Sequence, residues 1–348
     1  GFKALNTQNL PDATIKKGNQ YIDASLYTGT GAALSVVNSG AMQPDLVWIK
    51  RRDALSRNTI FDGTRGANKV LWSDLTDAEG TATAGTGVNS FNSNGFTLGT
   101  ELSGTSGSTN IGTGLYSAWQ WKKGAAQGFD IVTYTGDGTN GRVVAHSLGV
   151  APKMVILKDR SGGTYDWRVY HASLTSGYNI AINTTAAQYQ GSTGNAGFIS
   201  AVSSSNITLT QGASNGVAAV NANTNNYVAY LFAEVAGFSR FGIYTGNGSA
   251  DGPFVFTGFR PRFIMWKRTD STSDWAIIDT ARSPYNVQND ELYANSNIAE
   301  SAAGAPRLDS LSNGFKIRNA GGAAINASGG TYIFAAFAEN PFKNSLAR

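Results

Sequence analysis

The 348-residue chain contains no cysteine and only two histidines, His146 and His171. The lack of cysteine excludes disulfide bonds, thiolate metal ligands and cysteine nucleophiles together. Two histidines cannot form a histidine metal cluster, and neither lies in a recognisable Ser-His-Asp motif. The sequence therefore predicts no metal site and no cofactor.

Charge is also scarce, since charged residues make up 14% of the chain, compared with about 25% in an average soluble domain. The net charge is +4 and the longest basic run is Lys50-Arg51-Arg52. Nucleic-acid binding proteins carry a basic stripe or patch, so no nucleic-acid partner is predicted. No apolar run approaches the roughly 20 residues of a membrane-spanning helix, and no membrane insertion is predicted.

Glycine, by contrast, is abundant at 42 residues, and five sequence landmarks recur in the same order three times. The first is Tyr-Thr-Gly, at Tyr27, Tyr134 and Tyr244. The second is a proline followed six residues later by lysine, in "PDLVWIK", "PKMVILK" and "PRFIMWK". The others are "LWSDLTDAE", "IAINTTAAQ" and "LYANSNIAE"; "NGFTLG", "SNITLT" and "NGFKIR"; and "YSAWQW", "YVAYLF" and "YIFAAF". Such order indicates a tandem triplication with a period of about 108 residues.

Each repeat has the pattern of a β-domain. The Pro-to-Lys segments are short apolar runs rich in Val, Ile and Trp, which is typical of strands buried on both faces. Frequent Asn-Gly, Asp-Gly and Gly-Gly pairs indicate turns, and the Tyr-Thr-Gly segment is interpreted as a hairpin corner. The predicted fold class is all-β, with three tandem antiparallel β-sandwich, jelly-roll-like repeats.

The predicted domains are residues 21–127, 128–236 and 237–348, and residues 1–20 are expected to be a linker from an upstream domain. The period is much longer than the 20 to 50 residues of solenoid repeats. Each repeat is therefore expected to have a core of its own, with the three arranged like beads on a string.

One glycine-rich segment needs separate consideration as a nucleotide site. Residues 136–141 match the spacing of the G-x-G-x-x-G dinucleotide fingerprint. That motif requires a helix directly after it, because the helix N-terminus holds the pyrophosphate. The strand-like "RVVAHSLG" follows instead, so the segment is interpreted as a turn.

Two acidic-basic pairs occupy equivalent positions in the first and third repeats, Asp62 with Arg65 and Asp279 with Arg282. One hypothesis is a carboxylate for glycoside hydrolysis, which requires a second carboxylate across a cleft. The other is a structural ion pair after a strand. The second repeat has His171 and Leu174 at these positions, so the fold does not require the pair. The structural role is preferred, and no enzyme activity is predicted.

Five aromatic residues outside the main strand patterns are candidates for receptor binding through sugar stacking: Trp72, Tyr165, Tyr178, Tyr285 and Tyr293. An aromatic face buries a large apolar area, and tyrosine adds a polar tip. The alternative for each ring is packing of a loop against its sandwich.

The third repeat resembles a known kind of domain in "YTGNG", "FTGFRPRFIMWKRTD", "ARSPYNV", "LSNGFKIRN" and "NASGGTYIFAAFAENPFK". These segments are similar to a domain of unknown function of bacteriophage tail-fibre and related virion proteins. The opening "GFKALNTQNLPDATIKK" resembles the junction that follows a SPRY-like, concanavalin-type lectin domain in such proteins. The resemblance covers nearly the whole chain, is weakest in the second repeat, and implies a β-rich virion component without catalytic residues.

The function predicted on these grounds is a bacteriophage virion structural protein of the tail-fibre or surface-fibre type. It would lie at the particle surface and attach to host-surface glycan through repeated modules. A homo-oligomer, preferably a trimer, and other virion proteins are the expected partners. Two alternatives stay open: an architectural capsid-decoration or filament subunit without a ligand, and a tailspike-type glycan depolymerase.

Overall fold

The computed structural model describes residues 15–102, 108–162, 165–191, 197–212, 218–302 and 306–338. Regular structure in these ranges is predominantly β, which confirms the predicted all-β class. The helices with described bounds are short, at Gly18–Gln20, Ala125–Gln127 and Ala218–Asn221. No helix in this part of the chain is long and apolar enough to cross a membrane.

The strands fall into three sets of nine, and we call the repeats that contain them modules 1, 2 and 3. Module 1 contains β1 (Ile22–Thr28), β2 (Leu34–Val37), β3 (Leu46–Arg51), β4 (Asn58–Asp62), β5 (Gly66–Trp72), β6 (Gly80–Thr81), β7 (Val88–Asn92), β8 (Gly95–Leu98) and β9 (Leu115–Trp121). Module 2 contains β10 (Phe129–Thr135), β11 (Arg142–Ala145), β12 (Met154–Asp159), β13 (Arg168–His171), β14 (Tyr178–Ala181), β15 (Tyr189–Gln190), β16 (Phe198–Val202), β17 (Asn206–Thr210) and β18 (Asn226–Phe232). Module 3 contains β19 (Ser239–Thr245), β20 (Phe254–Phe256), β21 (Pro261–Arg268), β22 (Trp275–Asp279), β23 (Asp290–Tyr293), β24 (Ser301–Ala302), β25 (Leu308–Leu311), β26 (Gly314–Ile317) and β27 (Thr331–Ala338).

Every module forms one six-stranded and one three-stranded antiparallel sheet with the same strand order. In module 1 the orders are β1-β9-β3-β4-β5-β6 and β2-β8-β7. Modules 2 and 3 repeat them as β10-β18-β12-β13-β14-β15 with β11-β17-β16, and as β19-β27-β21-β22-β23-β24 with β20-β26-β25. The Pro-to-Lys segments form the interior strands β3, β12 and β21, and most of their residues are buried, as their apolar runs predicted.

The Tyr-Thr-Gly segment is not a hairpin corner, and this prediction was wrong. Strand β1 pairs with β9, whereas β2 pairs with β8, so the segment carries the chain from one sheet to the other. Its tyrosine stacks on the tyrosine that opens the closing strand of the module. The ring centroids are 4.9 Å apart for Tyr27 and Tyr116, and modules 2 and 3 have the same stacked pair. The stacked pair therefore accompanies all three sheet crossings.

A buried asparagine completes each crossing: Asn110, Asn221 and Asn326. Its side-chain oxygen accepts a backbone N–H from the Tyr-Thr-Gly loop, at 2.9 Å from Thr30 in module 1 and at 2.9 Å from Asn247 in module 3. These residues were not among the predicted ones, although each lies six positions before the tyrosine near the start of the closing strand.

The three modules share a central apolar core, which corrects the expectation of separate beads. Side chains alternate along a strand, so Met154 and Ile156 of β12 face the centre while Val155 and Leu157 face the three-stranded sheet of module 2. Trp121 and Phe232 end their closing strands and Phe337 is the last residue but one of its strand. The three rings meet at the centre, with ring centroids 6.3, 6.1 and 6.0 Å apart.

Hydrogen bonds between the modules close this arrangement into a ring. The indole of Trp167 in module 2 donates to the carbonyl of Trp72 in module 1 at 3.1 Å. The indole of Trp275 in module 3 donates to the carbonyl of Ala181 in module 2 at 2.8 Å. The side-chain amide of Asn58 in module 1 donates to the carbonyl of Tyr293 in module 3 at 3.1 Å. Module 2 thus donates a hydrogen bond to module 1, module 3 donates one to module 2, and module 1 donates one to module 3.

The end of the predicted linker takes part in the same core. Ile15 is buried in the central cluster. Tyr21, the first residue after the predicted linker, packs edge-on against Phe238 at the junction between modules 2 and 3, with ring centroids 6.2 Å apart. This segment therefore belongs to the structure that joins the modules.

We expect Trp121→Ala to lower the unfolding free energy by about 3–5 kcal/mol, because it removes a buried ring that contacts two other modules. Denaturant titration measures this change. The control Val37→Ala alters a side chain that is 60% exposed and should change stability by less than about 0.5 kcal/mol. Equal effects of the two substitutions would contradict a shared core centred on Trp121.

Candidate functional site

The predicted ion pair of module 1 is the buried part of a chain of four charged side chains. Arg65 binds the carboxylate of Asp62 through its Nε and the carboxylate of Glu79 through its Nη1, the latter at 2.9 Å. Glu79 in turn accepts two hydrogen bonds, both of 2.8 Å, from Arg160 of module 2. The chain therefore crosses the boundary between modules 1 and 2.

The carboxylate of Asp62 has no open face. Oδ2 accepts the hydroxyl of Tyr230 from module 2 at 2.8 Å, and Oδ1 accepts the backbone N–H of Arg65 at 2.8 Å. The side chains of Asp62 and Arg65 are both 0% exposed. A carboxylate that is buried and fully hydrogen-bonded cannot reach a polymeric substrate.

Module 3 repeats this arrangement at its boundary with module 1. Arg282 binds Asp279 at 2.6 Å and Glu300 at 2.8 Å, and Glu300 binds Arg52 of module 1 at 2.7 Å. The indole N–H of Trp119 in module 1 donates to Oδ2 of Asp279 at 2.9 Å. The place of the Tyr230 hydroxyl is thus taken by an indole.

The boundary between modules 2 and 3 uses neutral groups at every equivalent position. His171 stands in the place of the aspartate, Leu174 of the arginine, Gln188 of the glutamate and Thr269 of the second arginine. His171 donates from Nε2 to the carbonyl of Phe334 in module 3 at 3.1 Å. A backbone bond from Gln188 N–H to the Thr269 carbonyl, at 2.9 Å, recurs at the other two boundaries.

These surroundings shift the pKa values of the buried groups. Burial disfavours the charge on Asp279, but Arg282 and the Trp119 indole hold the pKa of this carboxyl below its ordinary value. Burial likewise opposes the charge on Glu79, but its two arginine partners lower the pKa of that carboxyl. Burial lowers the pKa of His171 to about 4, so the neutral imidazole is the folded form.

A buried lysine lies near each module boundary: Lys50, Lys158 and Lys267 are all 0% exposed. Burial lowers the pKa of each ammonium to about 8. Lys158 donates to the carbonyl of Thr76 in module 1 at 2.6 Å, and Lys267 donates to that of Thr185 in module 2 at 3.2 Å. Lys158 and Lys267 therefore act as hydrogen-bond donors between modules, whereas Lys50 donates to the carbonyl of Ser56 within module 1.

The five aromatic candidates are divided among the three modules, with Trp72 in module 1, Tyr165 and Tyr178 in module 2, and Tyr285 and Tyr293 in module 3. Trp72, Tyr165 and Tyr293 are partly buried and pack against the cores, and the Tyr293 hydroxyl donates to Glu291 at 2.8 Å. Tyr285 is 83% exposed on a loop of module 3.

Among the five candidates, only Tyr178 lines a recess in the described part of the chain, and this recess has a volume of about 200 Å³. The recess lies in module 2, between the loop of residues 172–177 and strand β16, and Tyr170 and Ser200 are also part of its wall. A second cavity, of about 30 Å³, lies in the central core and has an apolar lining. An apolar void of this kind stays dry, so the recess at Tyr178 is the better candidate for a ligand.

Metal binding finds no support in the described ranges, which contain no group of three or more His, Cys, Asp or Glu side chains that could hold an ion. The loop of residues 136–141 leads into strand β11, whereas a dinucleotide fingerprint requires a helix there.

Comparison with known proteins gives one match. A family model described as a domain of unknown function, DUF7483, matches residues 17–341. The match spans all three modules, as is expected for modules that share one core. No curated protein matches the chain, and no solved structure matches it.

We expect Asp62→Asn to lower the unfolding free energy by about 3–5 kcal/mol, because it leaves the buried Arg65 charge without its main partner. The control Glu234→Gln breaks an ion pair with Arg240 whose side chains are 27% and 45% exposed, and should cost less than about 1 kcal/mol. Denaturant titration of both variants measures the difference. A loss below 1 kcal/mol for Asp62→Asn would show that the charged chain does not stabilise the boundary.

Stability should also fall in acid because of His171. Its folded pKa of about 4 lies below the ordinary value of 6.5, so the unfolded chain takes up the proton first as the pH falls. The stabilisation present above pH 6.5 is therefore lost between pH 6.5 and 4, and amounts to about 3 kcal/mol. Between pH 7 and pH 4 the unfolding free energy of the wild type should fall by about 3 kcal/mol more than that of His171→Asn. Equal falls in the two proteins would contradict the lowered pKa of His171 in the folded state.

Proposed function

We propose, from the premise that the chain belongs to the DUF7483 family, that it is a structural protein of a bacteriophage particle. In this proposal it is of the tail-fibre or surface-fibre type, lies at the particle surface and displays its modules for attachment to host-surface glycan. The three modules are jelly-roll-like β-sandwiches that arose by triplication. Their identical strand orders support this origin.

The observation that carries the proposal is the closed ring of modules around one core. The six-stranded sheets of modules 1 and 2 turn one face to the central cluster and the other to their own three-stranded sheets, whereas the core of module 3 is continuous with the central cluster. Three similar outer surfaces are thereby held in one body. Linked binding surfaces raise the overall avidity for a repetitive target such as a cell-surface glycan, even where each contact is weak.

The chemistry of the buried charges argues against the depolymerase alternative. A glycosidase needs two carboxyl groups facing one cleft. Asp62 and Asp279 instead have side chains that are 0% exposed, and each is bound to an arginine and to an aromatic donor from another module.

One observation favours the purely architectural alternative. Phe254 and Phe256 on strand β20 are 45% and 59% exposed, and β20 is an edge strand of its sheet. An exposed apolar edge strand is a ready pairing surface for another chain. A homo-oligomer, for which we retain the trimer, would use such an edge.

We expect the chain to be present in purified particles of the phage that encodes it, and antibodies to the chain to label their surface. Mass spectrometry of the particles and immunogold electron microscopy measure this. Particles that lack the chain would overturn the virion role.

The attachment role has a separate test on the purified chain. We expect a glycan array to show binding to particular host-type glycans, with light scattering of the same sample giving the mass of the assembly. A chain that is present in particles but binds no glycan would support the architectural alternative.

A further inference from the structure

We propose that the recess at Tyr178 in module 2 is a subsite for one residue of a neutral saccharide, with an N-acetylated sugar as the preferred ligand. This inference deepens the attachment role proposed above and rests on it.

The recess lies where a loop of module 2 meets the edge of the three-stranded sheet. Its floor is strand β16, at Ile199 and Ser200, and its wall is the loop that joins β13 to β14. The volume of about 200 Å³ is below the 300–1,000 Å³ of pockets for drug-sized molecules. It therefore suits a single small unit of a longer ligand.

Module 3 fills the equivalent place with a side chain of its own. Its loop between β22 and β23 is longer, and Gln288 on this loop is 0% exposed. The Gln288 amide donates to the carbonyl of Ser283 at 2.6 Å and accepts the hydroxyl of Ser310 on β25 at 2.9 Å. Strand β25 is the counterpart of β16 in the sheet order, so an amide group bridges loop and strand in module 3 where module 2 has an opening.

The loop of module 2 also differs from those of modules 1 and 3 in the side chain that holds it. In modules 1 and 3 an arginine ties the loop to the backbone of the preceding strand, as Arg65 does to the Ile60 carbonyl at 3.0 Å. Leu174 cannot make such bonds. The loop is held instead by Gln188, whose amide oxygen accepts the Thr175 N–H at 3.1 Å and whose amide nitrogen donates to the Thr175 hydroxyl at 3.1 Å.

The lining of the recess is polar but uncharged. It contains no Asp, Glu, Lys or Arg. Both ring nitrogens of His171 already have partners, since Nε2 donates to the carbonyl of Phe334 and Nδ1 accepts the N–H of Ser173. The hydroxyls of Tyr170, Tyr178 and Ser176 have no hydrogen-bond partner among the described residues, and the two tyrosines add aromatic faces. Hydroxyls together with an aromatic ring match the hydroxyls and the C–H face of a sugar. A carboxylate or phosphate would find no cation here.

The test measures binding of N-acetylglucosamine and of glucose to the full chain by ligand-observed NMR and by titration. We expect N-acetylglucosamine to bind more tightly than glucose. Tyr178→Ala should weaken its binding at least tenfold, which corresponds to about 1.4 kcal/mol, and Tyr170→Phe, which removes one hydroxyl only, should weaken it several-fold. Tyr285→Ala, an exposed tyrosine of module 3 outside the recess, should bind as the wild type does.

Two results would overturn the proposal: no binding of either sugar to the wild type, or equal affinity in the wild type, Tyr178→Ala and Tyr170→Phe. Thermal unfolding of each variant verifies its fold, and Tyr170→Phe conserves the ring if Tyr178→Ala does not fold. A glycan array on which Tyr178→Ala retains the full wild-type signal would refute the recess while leaving the attachment role in place. An array with no signal for either chain would refute both.

Discussion

The ring depends on one physical constraint: a charged or polar group buried at a module boundary needs its partner from the neighbouring module. At two boundaries this need is met by an Asp-Arg-Glu-Arg chain with an aromatic donor to the aspartate. At the third, the equivalent positions are His, Leu, Gln and Thr, and Ala335 stands where Trp119 and Tyr230 donate. Removing one member of a buried ionic set leaves the other charges without a partner, at a cost of several kcal/mol. This cost favours replacing all members of the set by neutral residues together.

The neutral boundary changes more than its own contacts. Where an arginine is present, it binds the loop to the preceding strand and to the glutamate in one step, as Arg282 does with the carbonyl of Ile277 and with Glu300. Where Leu174 replaces it, the loop is held by Gln188 instead. A polar recess lies beside Tyr178 in this module.

Much of each module could be predicted from patterns in neighbouring residues. The apolar Pro-to-Lys runs became β3, β12 and β21, and the aromatic closing segments became β9, β18 and β27. The constant spacing of Asn110, Asn221 and Asn326 before the tyrosines of the closing strands is also visible in the sequence. The hairpin assignment of Tyr-Thr-Gly failed because a glycine turn specifies a change of direction and not the strand that the chain pairs with next. Among the aromatic candidates, composition could not separate Tyr178 from Trp72, since both are aromatic residues near a strand end.

The sequence by itself determined the all-β class, the threefold repetition and the positions of the main strands, because periodicity and turn chemistry act over a few residues. Only the tertiary structure decided that the modules share one core and close into a ring. The groups responsible are far apart in the chain: Arg52 and Glu300 are separated by 248 positions, and Trp119 reaches Asp279 across 160. Each of these side chains taken alone is compatible with a surface position, and burial by the neighbouring module makes it part of the boundary. The recess at Tyr178 was also decided by the tertiary structure, because its wall and its floor come from segments that are apart in the chain, the loop between β13 and β14 and strand β16.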